Sequence, residues 1–172
     1  MRELNTERLV IRPLNETDNT AWLEIFSSKK VGEFLPMMSD IEAINRLIAK
    51  KIKKYSENLG GSFSVILREN NKVIGNVELK IIDDSAELSY VFNDNYWNKG
   101  FCTEACVALI NYAFTTLNVA KVIADCLSYN IASSHILTDK LHMKIVREEI
   151  PQNETQPFKF FELTKDDWNK TK

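Results

Sequence analysis

The stretch YVFNDNYWNKGFCTEA, residues 90–105, decides how this chain is read. Leu88–Phe92 is a β-branched and aromatic run and predicts a strand. After a polar turn, Lys99-Gly100-Phe101-Cys102-Thr103 leads into an amphipathic helix predicted over Cys102–Leu117. Its inner stripe is Cys106, Leu109, Ile110, Ala113, Phe114 and Leu117. Gly100, one of five glycines in the chain, stands where that helix begins. Helix starts leave backbone N–H groups without intrahelical partners, and the helix dipole makes that end partly positive. A glycine there lets another molecule approach the backbone. Strand, glycine turn and open helix start outline an anion-binding site of the kind that holds a pyrophosphate.

The flanking segments place this unit in a larger pattern. Thr6–Leu14 predicts a strand closed by Pro13, and Asp18–Ser28 a helix bearing Trp22, Leu23, Ile25 and Phe26. A second helix carries Ile41, Ile44, Leu47, Ile48, Ile52 and Tyr55 at helical spacing. Ser39 and Glu42 suggest its capping box, and Gly60-Gly61 its stop. The lysines at 50, 51, 53 and 54 read as its wet side. Ser62–Arg68, Lys72–Ile82 and Ala86–Phe92 then form three strands joined by short polar connectors, which favour antiparallel hairpins. Lys121–Ser128 is a strand, Ile131–Leu141 a helix, and Met143–Ile150 and Phe158–Leu163 the last two strands. Strands in a run followed by β-α-β indicate a mixed sheet with helices on both faces. The three consecutive strands argue against a doubly wound nucleotide-binding fold, which would interleave helices.

Composition narrows the function class. The chain has 172 residues, 44% hydrophobic and 27% charged, with net charge −2, which suits one globular domain over 1–172. That charge gives no basis for nucleic-acid binding by bulk electrostatics. No apolar run reaches membrane-spanning length, and the amino terminus lacks a signal-peptide core. Cys102, Cys106 and Cys126 have no disulfide-framework spacing and read as reduced thiols of a cytoplasmic protein. His135 and His142 form no zinc pattern with them, so no metal is expected.

At this point the chain resembles the GNAT superfamily of acetyl-CoA-dependent N-acetyltransferases, and within it the RimJ/RimL-like branch. Thr6-Glu7-Arg8-Leu9-Val10-Ile11-Arg12-Pro13 matches that branch's opening strand, and Ile74-Gly75 its Ile-Gly step. Tyr96-Trp97-Asn98-Lys99-Gly100-Phe101-Cys102-Thr103-Glu104-Ala105 matches its glycine turn. Asn130-Ile131-Ala132-Ser133 and Lys140-Leu141-His142-Met143 echo two later segments. Cys102 stands where the turn often has glycine or alanine, Ser89 where the branch often has glycine, and His142 where glycine follows the fourth helix. One extra residue separates Asn130 from Lys140, which a bulge in the helix would absorb. The resemblance implies a single-domain α/β (α+β) GNAT fold, with a mixed, mostly antiparallel seven-stranded sheet and helices on both faces.

It also implies acetyl transfer from acetyl-CoA, as cosubstrate, to a primary amine by direct attack in a ternary complex. A peptide or ribosomal-protein amino terminus or a small amine would be the acceptor. Cofactor contacts would come from Trp97 and the backbone of Asn98, Lys99, Gly100, Phe101, Cys102 and Thr103. Lys99 adds a cation or simply faces solvent, and Thr103 meets phosphate or caps the helix. The backbone N–H of Phe92 or of Asn93 would polarise the thioester carbonyl. Glu87 is the expected base. Ser133 or Ser134 would return a proton to the thiolate, with Asn130 orienting the pantetheine arm or capping the helix. The competing expectation is a non-catalytic acyl-CoA-binding module of the same fold. Monomer and homodimer both fit.

Overall fold

A computed structural model describes residues 3–55 and 60–171. Its strands are β1 (Leu4–Asn5), β2 (Leu9–Pro13), β3 (Gly61–Leu67), β4 (Lys72–Ile82), β5 (Ser85–Phe92), β6 (Lys121–Leu127), β7 (Lys144–Glu149) and β8 (Phe158–Thr164). Its helices are α1 (Asn19–Phe26), α2 (Lys29–Gly32), α3 (Ile41–Tyr55), α4 (Phe101–Thr115), α5 (Ile131–His135) and α6 (Lys165–Asn169). The strands form one sheet in the order β1-β2-β3-β4-β5-β6-β8-β7. Every neighbouring pair is antiparallel except β5–β6, which is parallel.

The sheet therefore has eight strands where the sequence predicts seven. The expected first strand, Thr6–Leu14, is β2, and the additional strand is β1, which precedes it because the chain reverses at Thr6–Arg8. There the Thr6 N–H donates to the Leu9 carbonyl at 3.0 Å, and Leu4 pairs with Ile11. That turn contains neither glycine nor proline, so alternation alone does not mark it. α2 and α6 were likewise unmarked, being only four and five residues long. α3 is capped by Asp40 rather than Ser39: its carboxylate accepts the Glu42 and Ala43 N–H groups at 3.0 and 3.2 Å. The side chain of Tyr55 and the stretch 56–59 before Gly60-Gly61 lie outside the described residues. Lys51 in the basic run reaches Glu78 on β4.

Helices cover both faces. α4 crosses β2, β4, β5 and β6 on one side, while α1 and α3 pack on β4 and β3 on the other. The main core lies under α4, where Ala105, Cys106, Leu109, Ile110, Ala113 and Phe114 meet Leu79, Leu88, Phe92 and Val122. A second cluster joins Leu14, Trp22, Ile44 and Ile48 on the opposite side. Between the second cluster and the sheet sits a buried carboxylate. Asp18, only 3% exposed, accepts both terminal nitrogens of Arg12 at 2.9 and 2.6 Å, the Ser64 hydroxyl at 2.6 Å and the Asn15 N–H at 3.0 Å. It ties the start of α1 to β2 and β3. Burial alone would push the Asp18 carboxyl up, but these donors outweigh it and hold it below the ordinary aspartate range.

Asp18→Asn should therefore cost about 2–3 kcal/mol at neutral pH, because it leaves Arg12 without its ionic acceptor. Asp18 is more acidic folded than unfolded. Its stabilisation is thus complete above the unfolded value, about 3.9, and is lost as pH falls through the lower folded value. Urea melts of the two proteins should differ at neutral pH and converge in acid.

Candidate functional site

The two parallel strands pair only briefly. Ser85, Ala86 and Glu87 align with Lys121, Val122 and Ile123, and the register ends there, although β5 runs on to Phe92 and β6 to Leu127. Beyond Glu87 and Ile123 the strands part, opening a wedge at the end of the sheet that leads into α4 and α5.

The direction of each β5 backbone group follows from ladder parity. The Asn93 N–H donates to the Ile74 carbonyl at 2.9 Å, and Phe92 aligns with Gly75. In an antiparallel ladder, alternate residues turn both backbone groups toward the same neighbour. Residues 93, 91, 89 and 87 therefore face β4, while 92, 90 and 88 face β6. The Asn93 N–H is committed to the sheet, and the Asn93 side chain caps the next turn by accepting the Asn95 N–H at 3.0 Å. Of the two N–H groups expected at the wedge, only that of Phe92 points there. The Phe92 carbonyl accepts the Trp97 indole N–H at 2.9 Å, which braces the following turn. The Phe92 ring lies over Gly75, where a Cβ would come within 2.6 Å of it. The Ile74-Gly75 step thus makes room for that ring.

Across the mouth of the wedge stands the α4 start. Gly100 is its N-cap, with φ 79° and no side chain to spend on the first helical N–H groups. Asn98 also has positive φ, 59°. Lys99 folds back to donate to the Asn95 carbonyl at 3.0 Å and lies over the Tyr96 ring. Phe101 is buried in the main core. Burial, followed by the neighbouring Cys106, pushes the Cys102 thiol well up, against any lowering by the helix dipole.

On the α5 side, Asn130 is an N-cap whose side chain accepts the Ser133 N–H at 3.0 Å. Ser133 then faces the wedge. Its hydroxyl lies 2.8 Å from the Tyr90 hydroxyl. Burial, with the nearby thiols, raises Tyr90 far above its ordinary value, so its proton stays on. Ser134 instead gives its carbonyl to the Thr138 hydroxyl at 2.9 Å. Ile136–Lys140 is a π-helical turn, the kind of bulge that an extra residue before Lys140 would require. His142 has φ 59°, the left-handed conformation that suits glycine at a helix end.

Glu87 lies on the face away from α4 and pairs with Lys80 at 3.0 Å. Two positions beyond its aligned partner Ile123, Asp125 sits on the same face. Both line an open cleft of about 480 Å³ with Ile123, Arg147 and Phe160. Burial and then the Glu87 charge raise the Asp125 carboxyl, with Lys80 opposing. Neither Asp125 nor Tyr90 was marked by the glycine-turn reading. The signal for Asp125 was present, since it is the one charge within Val122–Leu127. Tyr90 hid in the strand's core-facing alternation. A third unmarked element, the α2 segment, bridges the wedge: Lys30 pairs with Asp94 at 3.3 Å, and the Tyr129 hydroxyl donates to the Glu33 carbonyl at 3.1 Å. Among the described residues no cluster of three His, Cys, Asp or Glu suits a metal ion, and no helix is long and apolar enough to cross a membrane.

Known proteins share this fold. The acetyltransferase (GNAT) domain matches residues 8–144. The N-acetyltransferase YnaD of Bacillus subtilis is 29% identical, over 96% of this chain and 99% of its own. A GNAT-family acetyltransferase from Bacillus anthracis superposes with a TM-score of 0.84 at 24% identity, covering 96% of this chain and 99% of that one. RimL, a ribosomal L7/L12 α-N-protein acetyltransferase solved with coenzyme A, gives 0.83 at 13% identity, covering 96% and 99%. The family match takes in the wedge, the glycine turn and the α5 start together, and the chain belongs to the GNAT acetyltransferases.

Proposed function

We propose that this chain, working in the cytoplasm, transfers an acetyl group from acetyl-CoA to a primary amine by direct attack in a ternary complex. The acceptor is a peptide or ribosomal-protein amino terminus or a small amine. The observation that carries this reading is the early end of β5–β6 pairing beside a helix start whose N-cap, Gly100, has no side chain to occupy its N–H groups. The wedge offers backbone donors to a pantetheine-like arm, and the glycine turn offers them to a pyrophosphate. RimL, a fold relative, acts on a ribosomal protein, which supports the acceptor class.

Acetyl-CoA supplies the activated acyl group as a thioester, and the chain's residues do the rest. The Phe92 N–H stabilises negative charge as it develops on the carbonyl oxygen. Asp125 takes the amine proton, directly or through water, with Glu87 keeping it basic. Glu87 itself is engaged with Lys80 at 3.0 Å and serves less well as the acceptor. Ser133 hydrogen-bonds the departing thiolate and relays it a proton from solvent, so that the serine ends as the neutral hydroxyl. The Tyr90 and Ser133 hydroxyls lie 2.8 Å apart, and with Tyr90 as the donor the serine proton is the one that serves sulfur.

Calorimetric titration with acetyl-CoA or CoA should show saturable binding, and its absence overturns the reading. Gly100→Ala should weaken that binding about 10-fold, because φ 79° strains any residue with a Cβ. Asp125→Asn should lower kcat about 100-fold or more with acetyl-CoA and a saturating amine. Glu87→Gln removes the negative charge that raises Asp125, so the acid limb of the pH–rate profile should move to lower pH. An acid limb that survives in Asp125→Asn and vanishes in Glu87→Gln would give the base role to Glu87.

A further inference from the structure

The opening-strand motif and the glycine-turn motif are far apart in sequence, yet one side chain joins them. Arg8, just before β2, donates from Nη1 to the Lys99 carbonyl at 2.9 Å and from Nε to Glu104 at 2.7 Å. The Arg8 backbone N–H and the Thr6 hydroxyl both donate to the other oxygen of Glu104, at 2.9 and 2.6 Å. The guanidinium lies 4.5 Å from the centre of the Phe101 ring. Burial would raise the Glu104 carboxyl, but the bonds from Thr6 and Arg8 hold it below its ordinary range, so it stays ionised.

The geometry points to a role for Arg8 that rests on the acetyl-CoA reading. We infer that Arg8 is a positioning residue for the acyl donor's pyrophosphate. In a trans peptide the C=O and N–H point in opposite directions, and no described peptide bond is cis. Anchoring the Lys99 carbonyl toward β2 therefore turns the Gly100 N–H away from β2, outward from the turn. Asn98 and Gly100, on either side of Lys99, are left-handed while Lys99 is not, and such alternation gathers successive N–H groups around an anion. Without the anchor, the Lys99–Gly100 peptide is free to flip and present its carbonyl to the phosphate instead. Arg8 also sits 3.3 Å from where a Cβ on residue 100 would stand, so side chain and glycine fit each other. Lysine cannot replace it, since one ammonium does not reach two acceptors with a planar fork.

A donor that lacks the pyrophosphate separates positioning from folding. Full-length wild type, Arg8→Met and Arg8→Lys are assayed with acetyl-CoA and with acetyl-pantetheine, which carries the same thioester. The expected result for both variants is a KM for acetyl-CoA raised about 10- to 30-fold with kcat nearly kept. Their kcat/KM for acetyl-pantetheine should fall less than about twofold. Equal losses with both donors, or no loss with either, overturn the inference. Should Arg8→Met not fold, Arg8→Lys, which keeps the charge and the stem, decides alone. A wild type that fails to bind acetyl-CoA defeats the acetyl-CoA reading itself, a different outcome from a wild type that binds and a variant that binds equally well.

Discussion

The site depends on one constraint: β5 and β6 are each fully paired on their outer edge and barely paired with each other. β4 holds β5 from Ser85 to Phe92, and β8 holds β6 from Lys121 to Leu127. Three aligned residues join the two strands at the closed end. The opening is therefore rigid on both lips without any side chain propping it apart. Its edges carry unspent backbone groups, which elsewhere in a folded protein would be paired. A ligand able to meet them completes the sheet rather than displacing part of it.

Around that opening, ordinary packing residues acquire second tasks. Phe92 fills the core with its ring, gives its carbonyl to Trp97 and turns its N–H to the wedge. Gly75 is small because Phe92 is large. Tyr90 packs against the core and reaches Ser133 with its tip. α2 spans the gap from the other side through Lys30 and Glu33, so the wedge is floored by the main core and roofed by a short segment with few residues of its own.

How much of this was legible depended on whether a feature is local. Periodicity placed the main helices and the three central strands, since each reflects a short-range pattern of burial. Gly100 and the Tyr96–Ala105 turn marked the candidate site for the same reason. The reversal at Thr6–Arg8 escaped because its turn is stabilised by side-chain bonds rather than by glycine or proline. The choice between Phe92 and Asn93 is a matter of ladder parity, which needs the partner strand. Likewise, Ser133 and Ser134 are chemically equal in the sequence, and only the Tyr90 hydroxyl across the wedge distinguishes them. Asp125 is visible as a charge in an apolar run, but its proximity to Glu87 is a product of the parallel pairing.

The π-helical turn at Ile136–Lys140 has a consequence for how this segment tolerates change in length. Asn130 fixes the front of the helix to Ser133, while Leu137 and Leu141 fix its rear in the core. An added residue between these two anchors shifts neither; it is stored as a wider turn on the stretch between them. The hydroxyl at the wedge is in this way insulated from insertions only a few residues downstream, and the chain gains room to vary near its chemistry without moving it.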